Sequence, residues 1–320
     1  MKAIVLDAGQ VRVEERPAPD LVSGEALVEV ILAGVCSTDL ELAKGYMGFA
    51  GVPGHEFVGR IVSAPDQPSR VGQRVVGEIN ASCRRCETCL GGFERHCPNR
   101  TVLGILNRSG AFAQILALPL ANLHALPPNL SNDRAVFVEP VAAAYEIATQ
   151  IPVAAGRTLV LGGGGKLGAL IARVLRICGA LVSLRGRRPE ALAPLVADGF
   201  PIEEDSPQPR YDLVVEATGT SDALGEALRW VRPRGIVALK STTAATSALD
   251  LAPVVIDEIS IVGSRCGPFA PAIAALAAGL LEPEKTIAAR FSLDQAVEAF
   301  AVARDPHDPS RRKVVFDIDA

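Results

Sequence analysis

No run of about 20 consecutive apolar residues survives anywhere in this chain of 320 residues, so a membrane-spanning helix is excluded. The most apolar stretch, around residues 159–180, carries Gly162, Gly163, Gly164, Gly165 and Gly168, then Lys166, Arg173 and Arg176. The positive mean hydropathy of +0.27 therefore needs another source, and a buried parallel sheet with apolar helices on both faces supplies one. A basic excess is missing too. The net charge is −4, which argues against a protein held to nucleic acid by a broad basic surface. The opening residues MKAIVLDAGQ lack the long apolar region of a signal peptide, so a cytoplasmic protein is expected. Internal repeats and low-complexity tracts are absent. An odd count of cysteines, seven, without an export signal speaks against a disulfide framework.

What is present suffices for about two domains. Up to about residue 140, short apolar runs such as Ala26–Leu32, Phe57–Val62 and Arg74–Gly77 are punctuated by Gly and Pro, the pattern of an antiparallel β region. Beyond residue 150, strands alternate with helices of about ten residues. Thr158–Gly162, Ala180–Leu184, Asp212–Glu216, Gly235–Leu239 and Ser260–Gly263 read as strands. Leu167–Cys178, Pro189–Ala197 and Asp222–Val231 read as helices. The tail returns to the first texture, with an amphipathic Leu293–Val302 and a final strand, Lys313–Ile318.

Four of the cysteines, Cys83, Cys86, Cys89 and Cys97, follow the spacing C-x2-C-x2-C-x7-C. Short knuckles of this kind present paired thiolates to one zinc ion, and four sulfurs leave no open position, so a structural zinc is expected. Free cysteines are usually buried, and these stand in a polar loop with Arg84, Arg85 and Glu87. A nucleic-acid zinc ribbon is the rival reading, opposed by the net charge. Cys36, His55, Glu56 and Glu139 are a second set of zinc-compatible donors, dispersed along the first domain. Spacing alone does not join them. A lone cysteine beside apolar residues is usually core, and a His-Glu pair is usually surface.

Gly163-Gly164-Gly165-Lys166-Leu167-Gly168 matches G-x-G-x-x-G between a strand and a helix, the dinucleotide fingerprint. Gly163 is assigned the tight turn, Gly165 the approach to the pyrophosphate, and Gly168 the close packing of helix on strand. The helix start at Lys166 and Leu167 offers unpaired N–H groups to phosphate. A nucleotide-triphosphate loop is excluded, because Val160 stands where its first Gly belongs and Leu167 follows the Lys. No acidic residue lies between Leu167 and Pro189, and Gly186, Arg187 and Arg188 follow the second strand. A carboxylate there would select NAD(H), whereas guanidinium groups bind a 2′-phosphate, so NADP(H) is favoured over NAD(H).

The motifs Gly34-Val35-Cys36-Ser37-Thr38-Asp39, Gly54-His55-Glu56-Phe57-Val58-Gly59, Val71-Gly72-Gln73-Arg74-Val75, the four-cysteine loop, Glu139-Pro140 and the glycine turn follow one another along the chain. Together they resemble the zinc-containing medium-chain alcohol dehydrogenase superfamily, in particular its polyol, threonine and glucose dehydrogenase-like branch. The resemblance implies a GroES-like β-rich catalytic domain over residues 1–140, completed by 267–320, and a Rossmann domain over 141–266, with the active site between them. It implies Cys36, His55 and Glu139 as ligands of a catalytic zinc, and Glu56 as an acid that swings to the metal. Thr38 becomes the hydroxyl that takes the substrate proton, and Asp39 the carboxylate that orients His55. Where many relatives carry a proton-relaying His, this chain has Glu41, so the proton leaves through Glu41, ribose hydroxyls or water. Ala217 and Thr218, in Asp212–Gly219, match the segment near the nicotinamide ribose, and Arg265 is a further candidate cofactor contact. The implied activity is hydride transfer between an alcohol or carbonyl substrate and the nicotinamide cofactor, by a homodimer or homotetramer. Two alternatives stay open: a zinc-independent quinone or enoyl reductase, and a non-catalytic NADP(H)-binding protein.

Overall fold

In the computed structural model, residues 1–204, 209–242, 249–304 and 313–318 are described. Among them, no helix is long and apolar enough to cross a membrane. The chain divides into two compact units, one holding Met1–Glu139 with the described tail from Phe269, the other Pro140–Pro268.

The first unit is GroES-like and β-rich. Its central strand, Glu25–Gly34, pairs antiparallel with Glu56–Ser63 and, through its first half, with Ile115–Pro119. The tail strand Lys313–Asp317 pairs antiparallel with the far end of the same strand, Val315 opposite Gly34. Apolar side chains of these strands, among them Val28, Val30, Leu32, Val58, Ile61 and Phe316, are almost wholly buried. Pairing places Gly34, Glu56 and Lys313 side by side, although Lys313 is the most distant of them in the sequence. Leu293–Val302 is resolved into a one-turn 3-10 helix, Leu293–Gln295, capped by Ser292 and Gln295, followed by the α-helix Ala296–Arg304. A helix that the sequence pattern did not suggest, Phe269–Ala277, begins just after Gly267-Pro268 and tolerates Pro271 because that residue lies in its first turn.

The second unit is a Rossmann-like parallel sheet. Its strands lie in the order Leu181–Arg185, Arg157–Leu161, Tyr211–Glu216, Val231–Leu239, Ser260–Gly263. An isolated parallel bridge between Leu184 and Ile202 extends this order outward by one position. The strand order reverses between Arg157–Leu161 and Tyr211–Glu216, which is where an open α/β sheet forms a ligand crevice at its carboxyl edge. Leu159, Leu161, Val214, Val237 and Trp230 pack in one core cluster. These strands are buried on both faces, which accounts for the positive mean hydropathy.

The glycine turn corrects the sequence reading in one detail. Gly162, not Gly163, holds the positive φ of +79° at the strand end. A Cβ there would stand 2.6 Å from the Ala217 carbonyl oxygen, and one on Gly168 would stand 2.2 Å from that of Gly162. Gly165 is the extended N-cap of the helix Lys166–Ile177. The tight turn therefore comes one residue earlier, while Gly168 keeps its role in close packing.

Candidate active site

The first unit builds a cluster of donors where the Glu25–Gly34 strand runs into the helix Ser37–Leu42. Cys36 is the N-cap of that helix. Asp39, wholly buried, accepts the Cys36 amide at 2.8 Å and the Gly54 amide at 3.2 Å. One carboxylate thus ties the loop that carries Cys36 to the loop that carries His55. Gly54 has φ +96°, and a Cβ there would lie 2.5 Å from the Phe112 ring, so the approach to His55 admits only glycine.

His55 is 3% exposed, and its Nδ1 lies 3.3 Å from Asp39 Oδ1. Nδ1 makes no hydrogen bond, so the contact with Asp39 is electrostatic. Burial pulls the His55 pKa down, but the charges of Asp39 and Cys36 outweigh it and hold it well above the usual range. Burial pushes the Cys36 thiol up, yet His55 beside it brings the net shift down. Thr38 Oγ1 accepts from Cys36 Sγ at 3.8 Å.

Donor atoms of Cys36, His55 and Glu56 all lie within 4.8 Å of one another. Soft thiolate, imidazole and carboxylate around one point are a zinc donor set, and Asp39 at Nδ1 leaves the other ring nitrogen for a metal. The residues fit the ion. Glu139 is not among the gathered donors; it sits in the first turn of the helix Val138–Gln150. Glu56, expected as the acid that swings to the metal, takes its place in the cluster.

Sequence reading missed Lys313. It is 4% exposed and forms an ion pair with Glu56, itself 2% exposed. Burial lowers the Lys313 pKa to about 8, against the opposing charges of Cys36 and Asp39. Gly34 makes room for the pair, since a Cβ there would be 2.6 Å from Lys313 Cε and 2.7 Å from Glu56 Oε2. No local pattern marks a lysine in a terminal strand as a partner of an acid 257 residues earlier. Lys313→Met should lower unfolding stability by about 3–5 kcal/mol, because it leaves a carboxylate buried without its cation. Urea denaturation measures this, and Glu56→Gln in the same background should recover part of the loss.

Cys83, Cys86, Cys89 and Cys97 also converge, with Sγ–Sγ separations of 3.5 Å for 86–89 and 83–97, 3.8 Å for 86–97 and 4.0 Å for 83–89. Zinc–sulfur bonds of about 2.3 Å put tetrahedral sulfurs about 3.8 Å apart, so these positions also fit the ion. The amides of Arg85 and Cys86 lower the Cys83 thiol to about 6, whereas burial pushes Cys89 up to about 12. Arg84, at φ +55°, makes the left-handed turn inside the first knuckle.

In the second unit, the Arg185 carbonyl accepts the amides of Gly162 and Gly163, which ties the glycine turn to the next strand. The Arg185 side chain pairs with Glu226 at 2.6 Å and lies over Trp230. Gly186 packs against Leu192, and Arg188 caps the helix Pro189–Ala197. Arg187 is largely exposed and stands 3.4 Å from Asp222. Ala217 and Thr218 follow the Tyr211–Glu216 strand, and Thr218 donates through both N and Oγ1 to Glu216. Arg265 offers its carbonyl to Lys240 Nζ at 2.9 Å. Glu41 is exposed and pairs with Lys44.

Known proteins are similar to this chain in sequence and fold. The alcohol dehydrogenase GroES-like domain matches residues 22–128. A sorbitol dehydrogenase of Bombyx mori is 27% identical, covering 94% of this chain and 94% of its own. The crystal structure of an Escherichia coli CFT073 alcohol dehydrogenase complexed with NADH superposes with a TM-score of 0.90 at 26% identity, covering 99% of each chain. A zinc-binding dehydrogenase of Sinorhizobium meliloti 1021 bound to NADP gives 0.86 at 26% identity, covering 99% of this chain and 98% of that one. A GroES-like unit carrying a Cys-His-Glu cluster, joined in one chain to a Rossmann-like unit with a glycine turn, makes this chain similar to the zinc-containing medium-chain alcohol dehydrogenases, in particular their polyol dehydrogenase-like branch, and supports an oxidoreductase of the alcohol dehydrogenase type.

Proposed function

We propose that the protein is a zinc-dependent dehydrogenase that moves a hydride between a small alcohol or polyol, or the matching carbonyl compound, and NADP(H). The observation that carries this reading is the convergence of Cys36, His55 and Glu56 at one buried point, with Asp39 behind the imidazole. Held there, zinc would supply Lewis-acid polarisation of the substrate oxygen and so ease loss of its proton. Thr38, whose hydroxyl neighbours Cys36, receives that proton. Asp39, facing Nδ1, would favour the tautomer that leaves the other ring nitrogen for the metal. Lys313 pairs with Glu56 beside the donor cluster and holds its carboxylate in place. Glu139 is a reserve carboxylate for the same ion, and the four-cysteine loop holds a second, structural zinc.

The nicotinamide cofactor fits the carboxyl edge of the second unit, with its pyrophosphate at the glycine turn and the N-terminus of Lys166–Ile177. Support for NADP(H) comes from Arg187 and Arg188 after the second strand and from the lack of an acidic residue in the sequence between Leu167 and Pro189. NADP(H) should therefore give the higher kcat/KM. Replacing both Arg187 and Arg188 by Ala should cut kcat/KM for NADP(H) by about tenfold or more, with NAD(H) little changed. Equal or better use of NAD(H) by the native enzyme would overturn the preference.

Metal analysis together with a panel of alcohols, polyols and aldehydes tests the activity. The expected result is about two zinc ions per chain, one of them chelator-sensitive, and turnover that is lost with that one. A single zinc with undiminished reduction of quinones or enoyl compounds would favour the zinc-independent reductase, and cofactor binding without turnover would favour the non-catalytic protein. We further propose a homodimer or homotetramer. Among the described residues the strand Ser260–Gly263 is the last of its sheet, and Val255 and Ile256, a few residues before it in the chain, are each 77% exposed.

A further inference from the structure

The carboxyl edge of the parallel sheet carries a hydrogen-bond cluster that the mechanism above does not use. Glu216 ends the Tyr211–Glu216 strand and is 3% exposed. Its Oε1 accepts from the Thr218 amide at 2.7 Å, from Thr218 Oγ1 at 2.8 Å and from Ser241 Oγ at 2.9 Å. Ser241, just past the Val231–Leu239 strand, in turn accepts the Gly219 amide at 2.8 Å. The Glu216 carbonyl also accepts the Lys240 amide at 2.9 Å. Two strand ends are thus locked together, and the turn at Thr218 and Gly219, with φ +75° at Gly219, is held in a single shape.

The sheet order says which part of a cofactor this turn meets. The arginine pair follows the Leu181–Arg185 strand, and the glycine turn follows its neighbour, Arg157–Leu161. Tyr211–Glu216 and Val231–Leu239 lie on the opposite side of Arg157–Leu161. A dinucleotide with its 2′-phosphate over the arginines and its pyrophosphate over the glycines extends its nicotinamide half over Glu216 and Ser241.

We propose that Glu216 and Ser241 are positioning residues for the nicotinamide half of the cofactor, presetting the Thr218–Gly219 turn that receives it. The inference rests on the cofactor placement proposed above. Neither residue needs to touch the cofactor. By accepting the turn's amides before binding, they reduce the ordering that binding would otherwise have to impose.

Glu216 is deeply buried, and removing it strips three donors of their acceptor, so Ser241 carries the test. In full-length protein, NADPH binding is followed by nicotinamide fluorescence. Binding of 2′-phospho-ADP-ribose, which lacks nicotinamide, is followed by its competition with NADPH. Ser241→Ala should weaken NADPH about tenfold and leave 2′-phospho-ADP-ribose within about twofold. Thermal stability should change little, and Ser241→Thr, which keeps the hydroxyl, should restore part of the NADPH affinity. Equal effects on both ligands, or none on either, would overturn the inference. If the native protein bound neither ligand, the cofactor placement itself would fall, a result distinct from failure of the positioning role.

Discussion

Cys36→Ser should abolish alcohol oxidation while NADPH binding persists, and His55→Ala should do the same. Altering a partner outside the ligand set commonly costs about 10–100-fold in metal affinity or activity, so losing a direct donor should exceed about a hundredfold. Neither nearby carboxylate restores the thiolate or the imidazole that is removed. Asp39 is committed to the amides of Cys36 and Gly54, and Glu56 to Lys313. The measurement is kcat/KM beside zinc content. One zinc should disappear from each variant, and the fluorescence titration with NADPH should be unchanged because the glycine turn belongs to the other compact unit. Activity that survives in a variant free of this zinc would sink the reading. Asp39→Asn should fall between native and ligand-deleted enzyme, since the imidazole remains but its orientation loosens.

Cys89→Ser should leave the chemistry in place and damage the fold. Its sulfur sits 3.5 Å from that of Cys86 and 4.0 Å from that of Cys83, in a loop with little apolar filling of its own. Leu90 and Phe93 in that loop are exposed, and its helix, Glu87–Leu90, has only four residues. Such a loop depends on metal coordination, and structural zinc contributes about 10–16 kcal/mol in isolated zinc-finger peptides. The expected result is loss of the chelator-resistant zinc, faster proteolysis within residues 83–97 and a lower melting temperature. Activity per remaining folded molecule should be kept. Cys178→Ser, outside both clusters, is the control and should change none of these. Unaltered zinc content and protease resistance in Cys89→Ser would show that the loop holds itself together without an ion.

The two clusters differ in how much of them can be read along the chain. The four cysteines lie within one short loop, so their spacing alone states the geometry: a knuckle of two intervening residues can hardly keep its sulfurs apart. The other donors come from separate elements, and only resemblance linked Cys36, His55, Glu56 and Glu139. The structure then sorted them, gathering the first three and leaving Glu139 outside. The turn glycine moved from Gly163 to Gly162 for a related reason, because the motif repeats glycine at four successive positions and only the strand end shows which one turns.

By itself, the sequence determined the alternation of strand and helix, the dinucleotide fingerprint and the four-sulfur loop, because each is a pattern of near neighbours whose geometry follows from backbone periodicity and short spacings. Tertiary structure alone decided that Lys313 meets Glu56, that Gly34 opens the space between them, and that Glu216 and Ser241 lock one turn at the sheet edge. Those contacts join residues brought together by strand pairing and sheet order, and such long-range pairing leaves no periodic trace in either partner's own stretch of chain.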